Sequence, residues 1–414
     1  MRANTERVEL LAPAGNFEKL EIAIHFGADA VYLGGKDYSL RNFSGNFTLD
    51  ELREAVTLAH AGGVKVYLAC NIYSRNAEQP AIRRYLETVG DIEIDGLIVS
   101  DPGIIAAARQ TVPHIPLHLS TQANTTNYIS ALFWKNQGIK RIVVARELSL
   151  AEAGEIAAQS GLEVEAFVHG SMCISYSGRC LLSNFMANRD SNRGMCCHPC
   201  RWKYAVMEET RPGQYMPISE DERGTYIFNS SDLCMIAHIP ELIQTGVAAL
   251  KIEGRMKGIH YVAATVKVYR EAIDAYYKNP LQYEFRQEWR KELNSISHRG
   301  YCTGFYFGGP DGASTCNVDS KNENKPLFIA KVLDQINRQQ VKVDVKVDVR
   351  NKFFTGDRVE ILKPGSPVHT DIITAISDES GQSILCAQPG SKVWISLGAD
   401  CGRNDLIRKA NGLP

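Results

Sequence analysis

Eight short apolar runs, most of them followed by an amphipathic stretch of helical period, set the strongest limit on how this chain can fold. The runs are Val8–Leu11, Ala30–Leu33, Val64–Leu68, Gly96–Val99, Pro116–Leu119, Arg141–Ala145, Glu163–Val168 and Ala248–Ile252. Segments such as "FEKLEIAIHFGA", "TLDELREAVTLAHAGG" and "SLAEAGEIAAQSG" lie between them, several ending at the glycine that closes many helices. Strands that alternate with helices pair in parallel, because each crossover returns the chain to the same end of the sheet. Eight such units predict an α/β fold with a TIM-barrel-like (β/α)8 domain, although an open doubly wound sheet carries almost the same pattern. The gap between the seventh and eighth runs is longer than the others. It predicts an insertion at about residues 170–235, in one of the loops where barrel enzymes place their chemistry.

That insertion holds Cys173, Cys180, Cys196, Cys197, Cys200 and Cys234. Thiols at this density suit an iron–sulfur cluster or another soft metal. Structural zinc is a second reading, with His198 as a possible nitrogen ligand. A cysteine nucleophile with His169 or His198 as base is a third, and small buried hydrophobes a fourth. Spacing does not choose among them. Only Cys197 and Cys200 form a C-x-x-C pair, and the C-x3-C of Cys196 and Cys200 is followed by Lys203 where a radical-type triplet needs a third cysteine.

Beyond residue 308 the pattern changes. Residues 309–325 ("GPDGASTCNVDSKNENK") read as a linker, and Val341–Val349 alternates strictly, as a half-buried strand does. We therefore expect a barrel domain over 1–308 and a small all-β barrel over 326–414. The formal net charge of −1 excludes a global electrostatic pull toward nucleic acid or anionic membrane. The N-terminus lacks the apolar core of a signal peptide, and no run of about 18 apolar residues marks a membrane span. Eleven cysteines, an odd number, then read as reduced thiols or ligands in a cytoplasmic protein.

In a parallel barrel the acting residues sit at the C-terminal strand ends. Here these ends are polar: Gly15 and Asn16, Gly34 and Gly35, Cys70 and Asn71, Asp101, Ser120 to Gln122, Arg146 and Glu147, His169, then Glu253 and Arg255. Among them Glu253, Arg255, Arg146 and His169 are the catalytic candidates, and Asn16, Asn71 and Gln122 the substrate contacts, with Arg201 added from the cysteine loop. Arg146 and Arg255 could fork onto a small carboxylate, while a salt bridge at the rim explains Glu253 and Arg255 equally well. Local positive charge comes from Arg179, Arg189, Arg193, Arg201 and Lys203, beside Trp202 and Tyr204, which suits RNA.

The stretch "EAFVHGSMCISYSGRCLLS" (Glu165–Ser183) closely resembles the signature of the collagenase-like peptidases of unknown catalytic type, family 32. "LLAPAGN", "KIEGRMK" and "NRGMCCHPCRW" fit the same family, and the likeness runs through essentially the whole chain. The resemblance implies a choice of activities. One branch of the family comprises iron–sulfur proteins that hydroxylate the tRNA wobble uridine to 5-hydroxyuridine without molecular oxygen, in a reaction linked to prephenate. Others act on a ribosomal RNA cytidine or a ubiquinone precursor, and the family name implies a peptidase. Length and the C-terminal β module look most like the tRNA branch. By this resemblance Cys173, Cys180, Cys196 and Cys234 would hold a cluster, expected to be [4Fe-4S], with Cys200 in reserve. tRNA, a small carboxylate and an electron donor are the expected partners. No H-E-x-x-H or G-x-S-x-G motif supports a hydrolase.

Overall fold

Each of the eight apolar runs is a strand in the computed structural model, which describes residues 7–40, 45–173, 175–202, 205–207, 215–217, 231–308, 325–337 and 343–410. All of the expected linker except Lys325 lies outside the described residues. The first seven strands are β1 (Glu9–Pro13), β2 (Ala30–Gly34), β3 (Lys65–Cys70), β4 (Gly96–Val99), β5 (Leu117–Leu119), β6 (Ile139–Val143) and β7 (Glu163–Ser171). The insertion carries β8 (Ala205–Met207), β9 (Tyr215–Pro217) and β10 (Asp232–Cys234), and the eighth barrel strand is β11 (Ala249–Ile252). Parallel pairing follows chain order, and β11 pairs with both β7 and β1. The ring is therefore closed, which decides for the barrel over the open sheet.

Helices α1 (Phe17–His25), α2 (Leu49–Ala61), α3 (Gln79–Gly90), α4 (Pro102–Thr111), α5 (Tyr128–Asn136) and α6 (Leu150–Ser160) follow the first six strands. Five start on a side-chain cap: Asn16, Thr48, Asp101, Asn127 and Ser149 each accept from a backbone N–H of the first turn. Each cap contributes about 1 kcal/mol and fixes where the strand-to-helix loop ends. The insertion adds α7 (Leu182–Ala187), and α8 (Ile239–Gln244) leads into β11. After β11, α9 (Ile259–Lys278) packs along α1, and α10 (Gln287–Ser295) lies on α9. The short β12 (Tyr301–Cys302) pairs with β10, which itself runs antiparallel to the end of β7.

The barrel interior contains an ionic layer. Arg141 bonds Glu9 (2.6 Å), Lys251 bonds Glu165 (2.7 Å), and Arg141 lies 3.6 Å from Glu165. All four side chains are buried.

The C-terminal module is antiparallel throughout. It comprises β13 (Phe328–Asn337), β14 (Val343–Val349), β15 (Phe353–Phe354), β16 (Arg358–Leu362), β17 (His369–Ile372), β18 (Ala375–Ser377), β19 (Cys386–Ala387), β20 (Lys392–Leu397) and β21 (Leu406–Lys409). Seven of these form one sheet in the order β17-β16-β21-β13-β14-β20-β18 around a core that includes Ile329, Val345, Val347, Ile361 and Ile395. The alternation at Val343–Val349 places Val345, Val347 and Val349 inward. Charged side chains hold this module against the barrel. Arg408 forks onto Glu292 (2.7 and 2.8 Å) and reaches Glu360 (2.7 Å), Lys331 meets Glu21 (2.8 Å), and Arg350 meets Glu18.

Candidate functional site

The strand ends open onto a cleft of about 60 Å3 lined by residues of seven barrel strands and their loops, among them Tyr32, Asn71, Ser120, Gln122, Arg146, Phe167, Lys251, Glu253 and Arg255. Asn71 and Gln122 are pre-paired. Asn71 Nδ2 donates to Gln122 Oε1 (3.1 Å), and Ser120 Oγ donates to the same oxygen (2.8 Å). Both acceptors being used, Gln122 Nε2 is a spare donor among the described residues.

The two arginines differ. Arg146 lies over the Phe167 ring, 4.1 Å from its centroid, and donates weakly to Ser171 O (3.4 Å). It makes no salt bridge among the described residues, and its buried Nε has no partner. Arg255, in contrast, is buried and occupied. It donates to Ser39 Oγ (3.0 Å), Leu40 O (2.7 Å) and Asn46 Oδ1 (2.9 Å), so it clamps the loop after β2. Gly34 is required beside it, because a Cβ there would strike Ser39 Oγ and the guanidinium. Glu253 accepts from Tyr32 OH (3.4 Å) at the cleft edge.

Two expected mouth residues lie elsewhere. Asn16 is an exposed helix cap whose Oδ1 accepts from Lys19 N (3.0 Å), and it does not line the cleft. His169 is buried against the rings of Tyr261, Tyr269 and Tyr301 at 5.4–5.8 Å. The cause is a bulge: Lys251 pairs with Phe167 but Ile252 pairs with His169, so the register slips by one. A one-residue slip moves a side chain to the other face of the sheet. Burial pushes the imidazole down to about 3, so it is neutral and enclosed, which removes it as a base for the loop thiols. Gly170 follows with φ +107, in contact range of the Glu253 carbonyl, where no Cβ fits.

The cysteine loop is fastened over the cleft. Ser177, in the left-handed region at φ 44, is held by Glu147 through its N–H and hydroxyl (both 2.6 Å). Arg179 Nε donates to Gln122 O (2.7 Å), and Arg193 binds Tyr73 O (2.7 Å) and the Glu78 carboxylate. Sulfurs in this loop receive backbone donors: Leu182 N to Cys180 Sγ and His198 N to Cys196 Sγ, both 3.4 Å. Ser183 Oγ lies 3.2 Å from Cys197 Sγ and accepts from Cys197 N (3.1 Å). N–H groups aimed at sulfur tune iron–sulfur centres, so the donor set around Cys180 and Cys196 suits such a group. Cys173 follows β7 and is half-buried, as is Cys200. Cys234 has a different setting. It is buried opposite His169 on β10, beside the Tyr269 hydroxyl, and burial pushes its thiol up to about 11. Among the described residues no three His, Cys, Asp or Glu side chains converge to hold one metal ion. The side chain of Arg201, and Lys203 and Tyr204, lie outside the described residues. No described helix is long and apolar enough to cross a membrane.

The sequence reading missed three features. Lys251 on the cleft wall is one: a lysine inside a strand gives no period-breaking signal, yet its ammonium lies over the Tyr32 ring (4.4 Å). The anchoring of Ser177 by Glu147 is another, since the two are 30 residues apart. The third is the outer face of α7, where Leu181, Phe185 and Met186 are exposed.

Residues 15–315 match Peptidase family U32, and residues 325–408 match the Peptidase family U32 C-terminal domain. The chain is 41% identical to tRNA hydroxylation protein P1 of Bacillus subtilis (strain 168), over 99% of this chain and 96% of that protein. It is 36% identical to tRNA hydroxylation protein P of Escherichia coli (strain K12), over 97% of this chain and 96% of its relative. A collagenase of Porphyromonas gingivalis (strain ATCC BAA-308 / W83) is 29% identical, with 95% of each chain covered. The matched spans take in the barrel from Gly15 onward, the cysteine loop that roofs it and the β module, and the chain therefore belongs to peptidase family U32.

Proposed function

We propose that this protein is an enzyme of tRNA hydroxylation, acting without molecular oxygen on the wobble uridine to give 5-hydroxyuridine. The observation that carries the reading is the end-to-end likeness to proteins named for tRNA hydroxylation, at 41% and 36% identity. The site supports it in two ways. A cysteine loop with N–H donors aimed at two sulfurs lies over a cleft whose Arg146 makes no salt bridge among the described residues. Hydroxylating a ring carbon is a redox reaction that no side chain performs unaided.

An iron–sulfur cluster, [4Fe-4S] in this reading, would be held by Cys173, Cys180 and Cys196, with Cys234 or Cys200 as the fourth thiolate, and would supply electron transfer. The protein's own residues do the rest. Arg146 and Gln122 Nε2 anchor a small carboxylate co-substrate such as prephenate. The Phe167 and Tyr32 rings exclude water beside it, and Arg255 keeps the loop after β2 in place. Exchange of the ring C–H for C–OH with oxygen from water releases two electrons and two protons, so the redox partner that docks from outside the site would have to accept those electrons.

The peptidase reading has the collagenase relative behind it, but the buried His169 cannot serve a loop thiol as base. Deletion of the gene followed by mass spectrometry of tRNA nucleosides tests the proposal. Loss of 5-hydroxyuridine derivatives, restored by the wild-type gene, is the expected result. Unchanged nucleosides, together with cleavage of peptides by the pure protein, would replace it with the peptidase. Anaerobically purified Cys180→Ala should lose most of its iron while Cys401→Ala, buried in the β module, keeps it.

A further inference from the structure

We propose that the outer face of α7 is the surface on which an unpaired RNA base stacks, so that the cysteine loop is an RNA-binding element as well as a place for metal ligands. This rests on the tRNA reading above and names the part of the protein that grips the nucleic acid. Phe185 is 90% exposed and Leu181 66% exposed, with Met186 beside them. Leu181 and Phe185 are four residues apart, so they share one side of the helix. α7 is anchored from its other side by Ser183, which is fully buried and bonded to Cys197. Large apolar side chains held outward on a fastened loop call for a partner.

Charge identifies that partner. Residues 171–202 contain four arginines and a single aspartate with no glutamate or lysine; Arg193 is paired with Glu78, which leaves Arg179 and Arg189 as the described cations beside the patch. Arg179 is exposed at one flank of the patch and Arg189 follows α7 at the other. A second copy of the chain would bring like charge against like. A single-stranded nucleic acid brings phosphates for the arginines and π-faces for the apolar side chains, the combination such surfaces use. The same loop is tied by Arg179 to Gln122 O and by Glu147 to Ser177, so a base leaving its stack on α7 is already at the rim of the cleft.

The test measures binding of the full-length protein to an RNA hairpin with a single-stranded loop and to a fully paired RNA duplex. Phe185→Ala should weaken hairpin binding about tenfold, from one lost stacking contact, with the salt dependence unchanged. Phe185→Trp should restore it, and duplex binding should stay weak throughout. Because Phe185 touches no core, its truncation should leave the melting curve unchanged. Wild-type affinity in Phe185→Ala, with full rescue of nucleoside modification in the deletion strain, would overturn the inference and leave the functional reading standing. A wild-type dimer that Phe185→Ala converts to a monomer would also overturn it, in favour of a second copy. Failure of the wild-type protein to bind any RNA would overturn both.

Discussion

Replacing Lys251 by Met exposes how the barrel tolerates charge in its interior. Glu165 is fully buried between two cations, with Lys251 Nζ at 2.7 Å and Arg141 Nη1 at 3.6 Å. At an effective dielectric of about 20, these separations correspond to attractions of about 6 and 5 kcal/mol, so the substitution removes more than half of what holds the carboxylate. Loss of one partner from a buried pair typically costs about 3–5 kcal/mol, because the remaining charge is left without compensation. Lys251→Met should therefore lower unfolding free energy by that amount, read by urea titration with far-UV circular dichroism. Adding Glu165→Gln should return most of the loss, since the amide has no charge to desolvate. The second oxygen of Glu165 has no hydrogen-bond partner, so the neutral replacement forfeits little there. A single variant within about 1 kcal/mol of wild type, or a double variant less stable than the single, would refute the reasoning.

Three further outcomes follow from the barrel. His118 is buried beside Tyr67 with its imidazole held well below its ordinary range, first by burial and then by Arg141, Lys251 and Lys65. Neutral in the fold and protonated when unfolded below about pH 6.5, it contributes stability that is present above that pH and lost as the pH falls. His118→Phe should flatten the stability profile below pH 6.5 by about 1.4 kcal/mol per pH unit, and superimposable profiles would contradict this. Arg255→Leu should cost about 3 kcal/mol or more in stability, because three acceptors lose a charged donor, and Arg255→Lys should not restore it. Arg146→Leu, by contrast, should melt with wild type yet bind a small carboxylate at least tenfold more weakly by calorimetry. Equal effects on stability from both arginines would show that their roles are not divided as described.

The contrast between those arginines also shows what the sequence could convey. Strand runs such as Ala30–Leu33 and Gly96–Val99 were legible because burial on both faces leaves a continuous apolar stretch. The polar strand ends were legible as a group, and Asn71, Gln122, Arg146, Glu253 and Arg255 do meet at one cleft. Their division of labour was not. Asn16 and Asp101 are polar because they cap helices, and Arg255 because a loop needs its guanidinium. His169 left the mouth through a bulge between β7 and β11, a register event between strands 77 residues apart that no local pattern records. The role of α7 was hidden for the opposite reason. Leu182–Ala187 mixes apolar residues with Ser183 and Asn184, and only the fold turns Phe185 to solvent.

The closure of the ring has a consequence for how the protein is made. β7 finds the parallel partner that closes the ring only when β11 has left the ribosome, and the whole thiol-bearing excursion lies between them. At roughly 5–20 residues per second, translation of that excursion takes several seconds, during which seven strands stand as an open sheet with an unpaired edge. The nascent thiols are at their most accessible in this interval, before Ala249–Ile252 slots home. Delivery of any inorganic cargo during synthesis thus meets an unfinished cylinder, whereas delivery afterwards meets a finished one with its lid already pinned.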